Sequence, residues 1–168
     1  MFKYILPILI TSSLFGDTFY TKDKISIGLE FDIGETETKD VTIDTRGSYT
    51  MFGANIEYFI LNDISVGFGI KKWNDNEDYT TIDYSLPVTW YMPYRYKNIV
   101  PYIGGAYRYS NINDNNYEDL SILAARGGVS LISENLTFSI GWTQEYAIFD
   151  DYSNYQQGYV DTRLSILF

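Results

Sequence analysis

From Lys24 to Phe168 the chain alternates apolar and polar residues at period two, in eight blocks, with no helical period between them. The last block shows the design. Val160, Thr162, Leu164, Ile166 and Phe168 fall on one face, and Tyr159, Asp161, Arg163 and Ser165 on the other, with Leu167 the one apolar intruder. Such a segment is a strand with an oily side and a charged side. The first block, 24–34, sets Ile25, Ile27, Leu29, Phe31 and Ile33 against Ser26, Gly28, Glu30 and Asp32. The second, 48–60, sets Phe52, Ala54, Ile56, Tyr58 and Ile60 against Met51, Gly53, Asn55 and Glu57. In the third, 64–73, Ile64, Val66, Phe68 and Ile70 oppose Ser65, Gly67, Gly69 and Lys71. The fourth, 79–92, opposes Ile82, Tyr84, Leu86, Val88, Trp90 and Met92 to Asp83, Ser85, Pro87, Thr89 and Tyr91. Pro87 predicts a bulge or a locally unpaired donor there.

The fifth block, 99–110, has an ambiguous phase. Ile103, Gly105, Tyr107 and Tyr109 form one face and Tyr102, Gly104, Ala106 and Arg108 the other, and either can be the oily one. The sixth, 120–132, opposes Leu123, Ala125, Gly127, Val129 and Leu131 to Ala124, Arg126, Gly128 and Ser130. The seventh, 136–148, opposes Leu136, Phe138, Ile140 and Trp142 to Thr137, Ser139, Gly141, Thr143 and Glu145. The polar connections alternate in length: long at 35–46, short at 61–63, medium at 74–78, short at 93–98, long at 111–118, short at 133–135 and long at 150–157. Eight strands with alternating short turns and long loops predict an all-β, antiparallel, up-and-down barrel, and the strands approach the length of about 9–11 residues that a tilted transmembrane strand needs.

Period two alone does not say which face is inside. The small residues do. Gly28, Gly53, Gly67, Gly69, Gly128 and Gly141 share a face with the charges. A crowded lumen needs small residues, whereas lipid has room for large ones, so the charged face is expected inside. A soluble ligand-binding barrel of lipocalin kind, the minor alternative, would be built the other way round. Aromatic residues gather near strand ends, at Tyr49, Tyr58, Trp73, Trp90, Tyr91, Tyr94, Tyr96, Tyr109, Tyr146, Tyr152 and Tyr159, as interfacial girdles would require.

Composition narrows the function. The 168 residues include no Cys and no His. That excludes a disulfide scaffold and a thiol nucleophile, and removes the commonest general base and zinc ligand. Catalysis is not expected, nor is a cofactor. The formal net charge of −10 argues against nucleic acid as a partner. Asp150-Asp151 could meet a divalent cation, but acidic loop residues are ordinarily just solvated. At the N-terminus, Lys3 precedes an apolar run from Ile5 to Phe15, and Gly16 offers a small residue for cleavage. Residues 1–16 therefore look like a secretory signal peptide, too short to span a bilayer as a helix, leaving 17–168 as one barrel domain.

These features together, with the closing Thr162-Arg163-Leu164-Ser165-Ile166-Leu167-Phe168 and the stretch Val100-Pro101-Tyr102-Ile103-Gly104-Gly105-Ala106, resemble the small outer-membrane barrels of the OmpA and OmpX type. The resemblance covers nearly the whole chain after residue 16 and is specific for architecture rather than for function. It implies a bacterial outer-membrane location with both ends periplasmic, lipid and the outer-membrane assembly machinery as partners, Phe168 as an assembly signal, and a monomer. The periplasmic peptidoglycan-binding domain of longer OmpA-type proteins is not expected. On the charged face, Glu30, Asp32, Glu57, Lys71, Arg126, Glu145, Asp161 and Arg163 are expected to form a network of ion pairs inside the lumen, because an isolated buried charge is very costly. Asp161 and Arg163 are expected to meet Glu30 or Asp32 across the seam between the last strand and the first. Two roles follow. One is a structural or surface-interaction protein, with the barrel as anchor and the acidic loops meeting an extracellular partner. The other is a narrow or gated small-solute channel.

Overall fold

The structure, a computed structural model, describes residues 20–39, 44–75, 80–93, 96–112, 120–148 and 156–168. Eight strands follow one another: β1 (Ile25–Lys39), β2 (Asp44–Leu61), β3 (Ile64–Asp75), β4 (Thr80–Tyr91), β5 (Ile99–Ile112), β6 (Leu120–Ser133), β7 (Leu136–Ala147) and β8 (Gln156–Leu167). Each pairs antiparallel with the next, and β8 returns to β1, so the sheet is a closed barrel. Closure leaves no unpaired edge, which is what lets a sheet sit in a medium without water. Among the described residues no helix is long and apolar enough to cross a membrane.

The parity expected from the sequence holds in the described parts of seven strands, and the structure decides the open phase of β5. Along β2, Met51, Gly53, Asn55, Glu57 and Phe59 are buried while Phe52, Ala54, Ile56, Tyr58 and Ile60 are exposed. Outside, a belt of Leu29, Phe31, Phe52, Ile56, Phe68, Leu86, Leu123, Phe138, Ile140 and Leu164 lies open, each roughly half exposed. Inside lie Glu30, Asp32, Asn55, Glu57, Asp83, Arg108, Glu145 and Arg163, all buried. This is the transmembrane polarity, and it is the inverse of a soluble ligand-binding barrel. Thr162 is the polar residue of the outer face at mid-strand, and its hydroxyl donates to the carbonyl of Phe31 on the neighbouring strand.

The short connections, at Asn62-Asp63, Met92–Asn98 and Glu134-Asn135, lie at one end together with Tyr20 and Phe168; we call this the turn end. Asp63, Lys97 and Glu134 take left-handed backbone at φ 61°, 56° and 53°, while no described glycine has positive φ. Glycine therefore serves the lumen here and not the turns. A Cβ on Gly128 would meet Gly141 Cα at 2.5 Å, and a Cβ on Gly141 would collide with the Tyr102 hydroxyl. Their bare backbones let the Tyr102 ring lie across the lumen.

The structure corrects two expectations and decides between the two readings of a third. The segment 35–46 is not one long loop, because β1 runs to Lys39 and β2 starts at Asp44. Its Glu-Thr-Glu-Thr alternation lacks an oily face but keeps the β preference of Thr, and the register sets Glu37 opposite Arg46 and Lys39 opposite Asp44. The hairpin thus extends as ladder past the length that lipid requires. The other far-end connections change little: β3 ends at Asp75, β5 at Ile112, and β8 begins at Gln156 after β7 ends at Ala147. Second, Pro87 makes no bulge. Pairing of β3 with β4 lapses opposite Pro87 and Leu86 and resumes at Gly69↔Ser85 in the same register, so the unpaired-donor reading is the correct one. Third, the expected girdle divides. Tyr58, Tyr96, Tyr109 and Tyr146 are exposed, but Tyr91 and Tyr159 are buried in the lumen and Trp73 packs there against Tyr159. The expected signal peptide, the Asp150-Asp151 pair, and the side chains of Tyr49, Tyr94 and Tyr152 lie outside what is described.

Candidate functional site: the charged lumen

All eight charged residues singled out in the sequence line the lumen, in stacked groups. Nearest the turn end is a knot around Glu57. Glu57 accepts from Arg126 at 3.0 Å, from Arg163, from Ser65 at 2.8 Å and from the Tyr91 hydroxyl at 3.1 Å. Arg163 also donates to the Tyr91 oxygen at 3.1 Å, and Arg126 to Thr89. One carboxylate thus pairs with two guanidiniums, from β6 and β8. Gly67 makes room for it, since a Cβ there would stand 3.0 Å from Glu57 Cγ.

In the middle, Lys71 reaches Glu30 at 2.6 Å and Asp32 at 3.7 Å. Asn55 donates to Glu30 at 2.5 Å, and Asp32 accepts the Thr162 backbone N–H at 2.6 Å. Asp161 belongs to a hydrogen-bonded group instead, accepting from Thr143 at 2.5 Å and from Tyr102 at 3.2 Å. Toward the far end, Arg108 bridges Glu145 at 2.6 Å and Asp83 at 3.3 Å. Tyr159 donates to Glu145 at 2.7 Å, Ser110 donates to Asp83 at 2.5 Å, and the Trp73 indole N–H donates to Asp83. The Arg108 guanidinium lies 5.1 Å from the Trp73 ring centroid, a cation–π contact.

The seam pairing differs from the expectation. Glu30 and Arg163 are register neighbours, yet Arg163 pairs with Glu57 on β2 and Glu30 with Lys71 on β3. Lys71 reaches Glu30 over Gly53, which is in register with both, so side-chain reach past a bare position, and not direct register adjacency, sets this partner. Two members were absent from the expected network: Asp83 and Arg108. Arg108 was hidden by the uncertain phase of β5, where Gly104-Gly105-Ala106 offers no contrast. Its own charge was the available signal, because a mid-strand arginine avoids lipid. The structure puts Tyr102, Arg108 and Ser110 inside and Ile103, Tyr107 and Tyr109 outside. Asp83 has the inward parity on the polar face of the fourth block, and that parity was its available signal.

Beneath the Glu57 knot the turn end is closed by aromatic rings. Tyr20, Phe59, Tyr91, Val100, Tyr102 and Ile132 form one buried cluster, with Leu167 packed against it. Burial pushes the Tyr20 phenol up to about 12, against the opposing pull of its hydrogen bond with Thr137, so the ring enters this layer neutral.

Comparison by sequence matches the chain to no family model and to no curated protein. Comparison by structure does find similar folds. The N-terminal β-barrel domain of Pseudomonas aeruginosa OprF superposes with a TM-score of 0.67 at 12% identity, over 88% of this chain and 98% of that one. Neisserial surface protein A gives 0.59 at 11% identity, over 86% and 96%. The outer membrane protein OprG of Pseudomonas aeruginosa gives 0.50 at 15% identity, over 89% and 97%. At such identities what is shared is the fold. With its oily exterior, its charged lumen and its closed sheet of eight strands, the chain has the fold of the small outer-membrane β-barrels.

Proposed function

We propose that the chain is an integral protein of the bacterial outer membrane with both ends on the periplasmic side. In this reading the barrel is an anchor, and the far-end connections meet partners outside the cell. The observation that carries it is the filled lumen: Glu57 sits 1% exposed with its arginines, and ionic and aromatic layers follow one another along the axis. An eight-stranded barrel has an interior just wide enough for its own side chains, so a plugged lumen serves anchoring better than transport. The acidic, Asn- and Tyr-bearing connections at 76–79, 113–119 and 148–155 supply the surface for partners. Reconstitution tests this. The unboiled protein should migrate differently from the boiled one in a gel, and bilayers should show no sustained conductance. Deleting residues 113–119 should abolish attachment to a cell or matrix surface. A steady open conductance, or surface binding untouched by loop deletion, overturns the reading.

The second reading, a narrow gated channel, has one observation in its favour. Glu57 holds two arginines and Lys71 has two acids in reach, so each of these shared groups can drop one partner and stay paired with the other. Conductance that changes on Glu57→Ala or Arg126→Ala would select it. Lumen carboxylates (Glu30, Asp32, Glu57, Asp83, Glu145, Asp161) exceed lumen cations (Lys71, Arg108, Arg126, Arg163), so such a channel should favour cations.

A further inference from the structure

We propose that residues 20–22 form a removable stopper in the turn-end mouth of the lumen, and that release of this segment opens that mouth as far as the Glu57 knot. The inference rests on the barrel reading and adds a second closure in series with the ionic one.

Three observations carry it. First, the segment turns inward instead of leaving along the wall. Lys24 and Asp23 still bond to Phe59, at 3.0 and 2.9 Å, but Asp23 has φ 68°, and this left-handed bend redirects the chain across the opening. Second, the Tyr20 ring fills the cross-section. It is 2% exposed and stacks on Phe59 of β2 with centroids 4.6 Å apart and planes 7° from parallel. Its centroid lies 4.3 Å from that of Tyr91 on β4, and its hydroxyl lies 3.1 Å from Thr137 Oγ1 on β7. Val100 of β5, Ile132 of β6 and Leu167 of β8 complete the layer, so six strands contribute to it. Third, the segment is docked rather than woven in. Ladder pairing of β1 begins at Ile25↔Tyr58 and Ser26↔Leu167. Residues 20–22 are fastened instead to the β2–β3 turn. The Tyr20 N–H donates to Asp63 Oδ1 at 3.0 Å, the Asp63 N–H to the Tyr20 carbonyl at 2.8 Å, and the Lys22 N–H to Asn62 Oδ1 at 2.9 Å. Undocking breaks these bonds and one ring layer and leaves every strand pair intact. The exposed face would then be Tyr91, whose hydroxyl already holds Glu57 and Arg163.

The natural sequence has no cysteine, so one introduced thiol is the sole reactive site. Ser139 is the next inward residue after Thr137 on β7 and faces Ser130 at 2.8 Å, which makes Ser139→Cys a near-isosteric probe just behind the stopper. Ser110→Cys, toward the far end beside Asp83, is the control. Folded barrels carrying either thiol are exposed to a charged methanethiosulfonate reagent. With Tyr20→Ala, modification at position 139 should accelerate roughly tenfold or more while position 110 is unchanged, since reactivity tracks the open population. Asp63→Gly should act in the same direction, because glycine keeps the φ of 61° free of strain while the carboxylate that holds Tyr20 is gone. It carries the test should Tyr20→Ala fail to fold. Equal rates at 139 with and without the stopper substitutions, or acceleration at both thiols alike, would overturn the proposal. Failure of the outer-membrane reading shows elsewhere, as a parent protein without heat-modifiable migration.

Discussion

Glu57 is the residue on which the most depends. Two guanidiniums, one hydroxymethyl and one phenol converge on its two oxygens, behind a wall that water does not reach. Removing one partner of a buried pair costs far more than the pair itself contributes, because the remaining charge has no counterpart. Glu57→Gln should therefore lower stability by about 3–5 kcal/mol, read from the urea midpoint in lipid vesicles. Ser130→Ala, which removes only a hydroxyl pair with Ser139, should cost about 1 kcal/mol. Near-equal losses for the two would mean that the Glu57 knot is solvated and not sealed.

Among the elements, the seam between β1 and β8 is the shortest ladder. Its register runs only from Ser26↔Leu167 to Glu30↔Arg163, and backbone bonds between Ile25 and Phe168, at 2.8 and 3.3 Å, extend it by one step. Phe168 supplies those bonds and an exposed ring at the turn-end rim. Arg163 supplies a lumen contact that Arg126 partly duplicates, since both reach Glu57. Deleting Phe168 should reduce the amount of folded barrel in the membrane more than Arg163→Ala does. Equal amounts would refute an assembly role for the terminal residue. The β1–β2 hairpin is the opposite case, a ladder carried past the belt by a Thr-rich alternation that has no oily face.

For the whole molecule the decisive property is inverted polarity. On the proposed membrane reading the outer belt meets lipid, so a charge placed on it costs according to depth, about 2–4 kcal/mol at the bilayer midplane and about 0–1 near the interface. Ile140 lies near the middle of β7, and Leu136 is its first residue; both side chains are exposed. Ile140→Arg should destabilise strongly and Leu136→Arg weakly, measured as unfolding free energies in the same vesicles. Similar small effects at both sites would mean that water, not lipid, surrounds the belt.

The sequence by itself determined the strands, the polarity of the barrel and the parity of every strand but β5. A strand has a strict side-chain period of two, so a run such as Phe52 to Ile60 declares its two faces without knowledge of any partner. Glycines sharing the face of Glu30 and Glu57 were enough to turn that face inward. Heights were another matter. Which charges meet depends on the stagger between strands and on reach across the lumen, and neither is written in any local pattern. That is why Arg163 was expected beside Glu30 and is found on Glu57, and why β5, with Gly104-Gly105-Ala106 at its centre, could not declare its phase. Only the closed sheet brings Tyr20 over Phe59 and Tyr91, from β2 and β4, and turns an unpatterned tyrosine ahead of the first strand into the floor of the lumen.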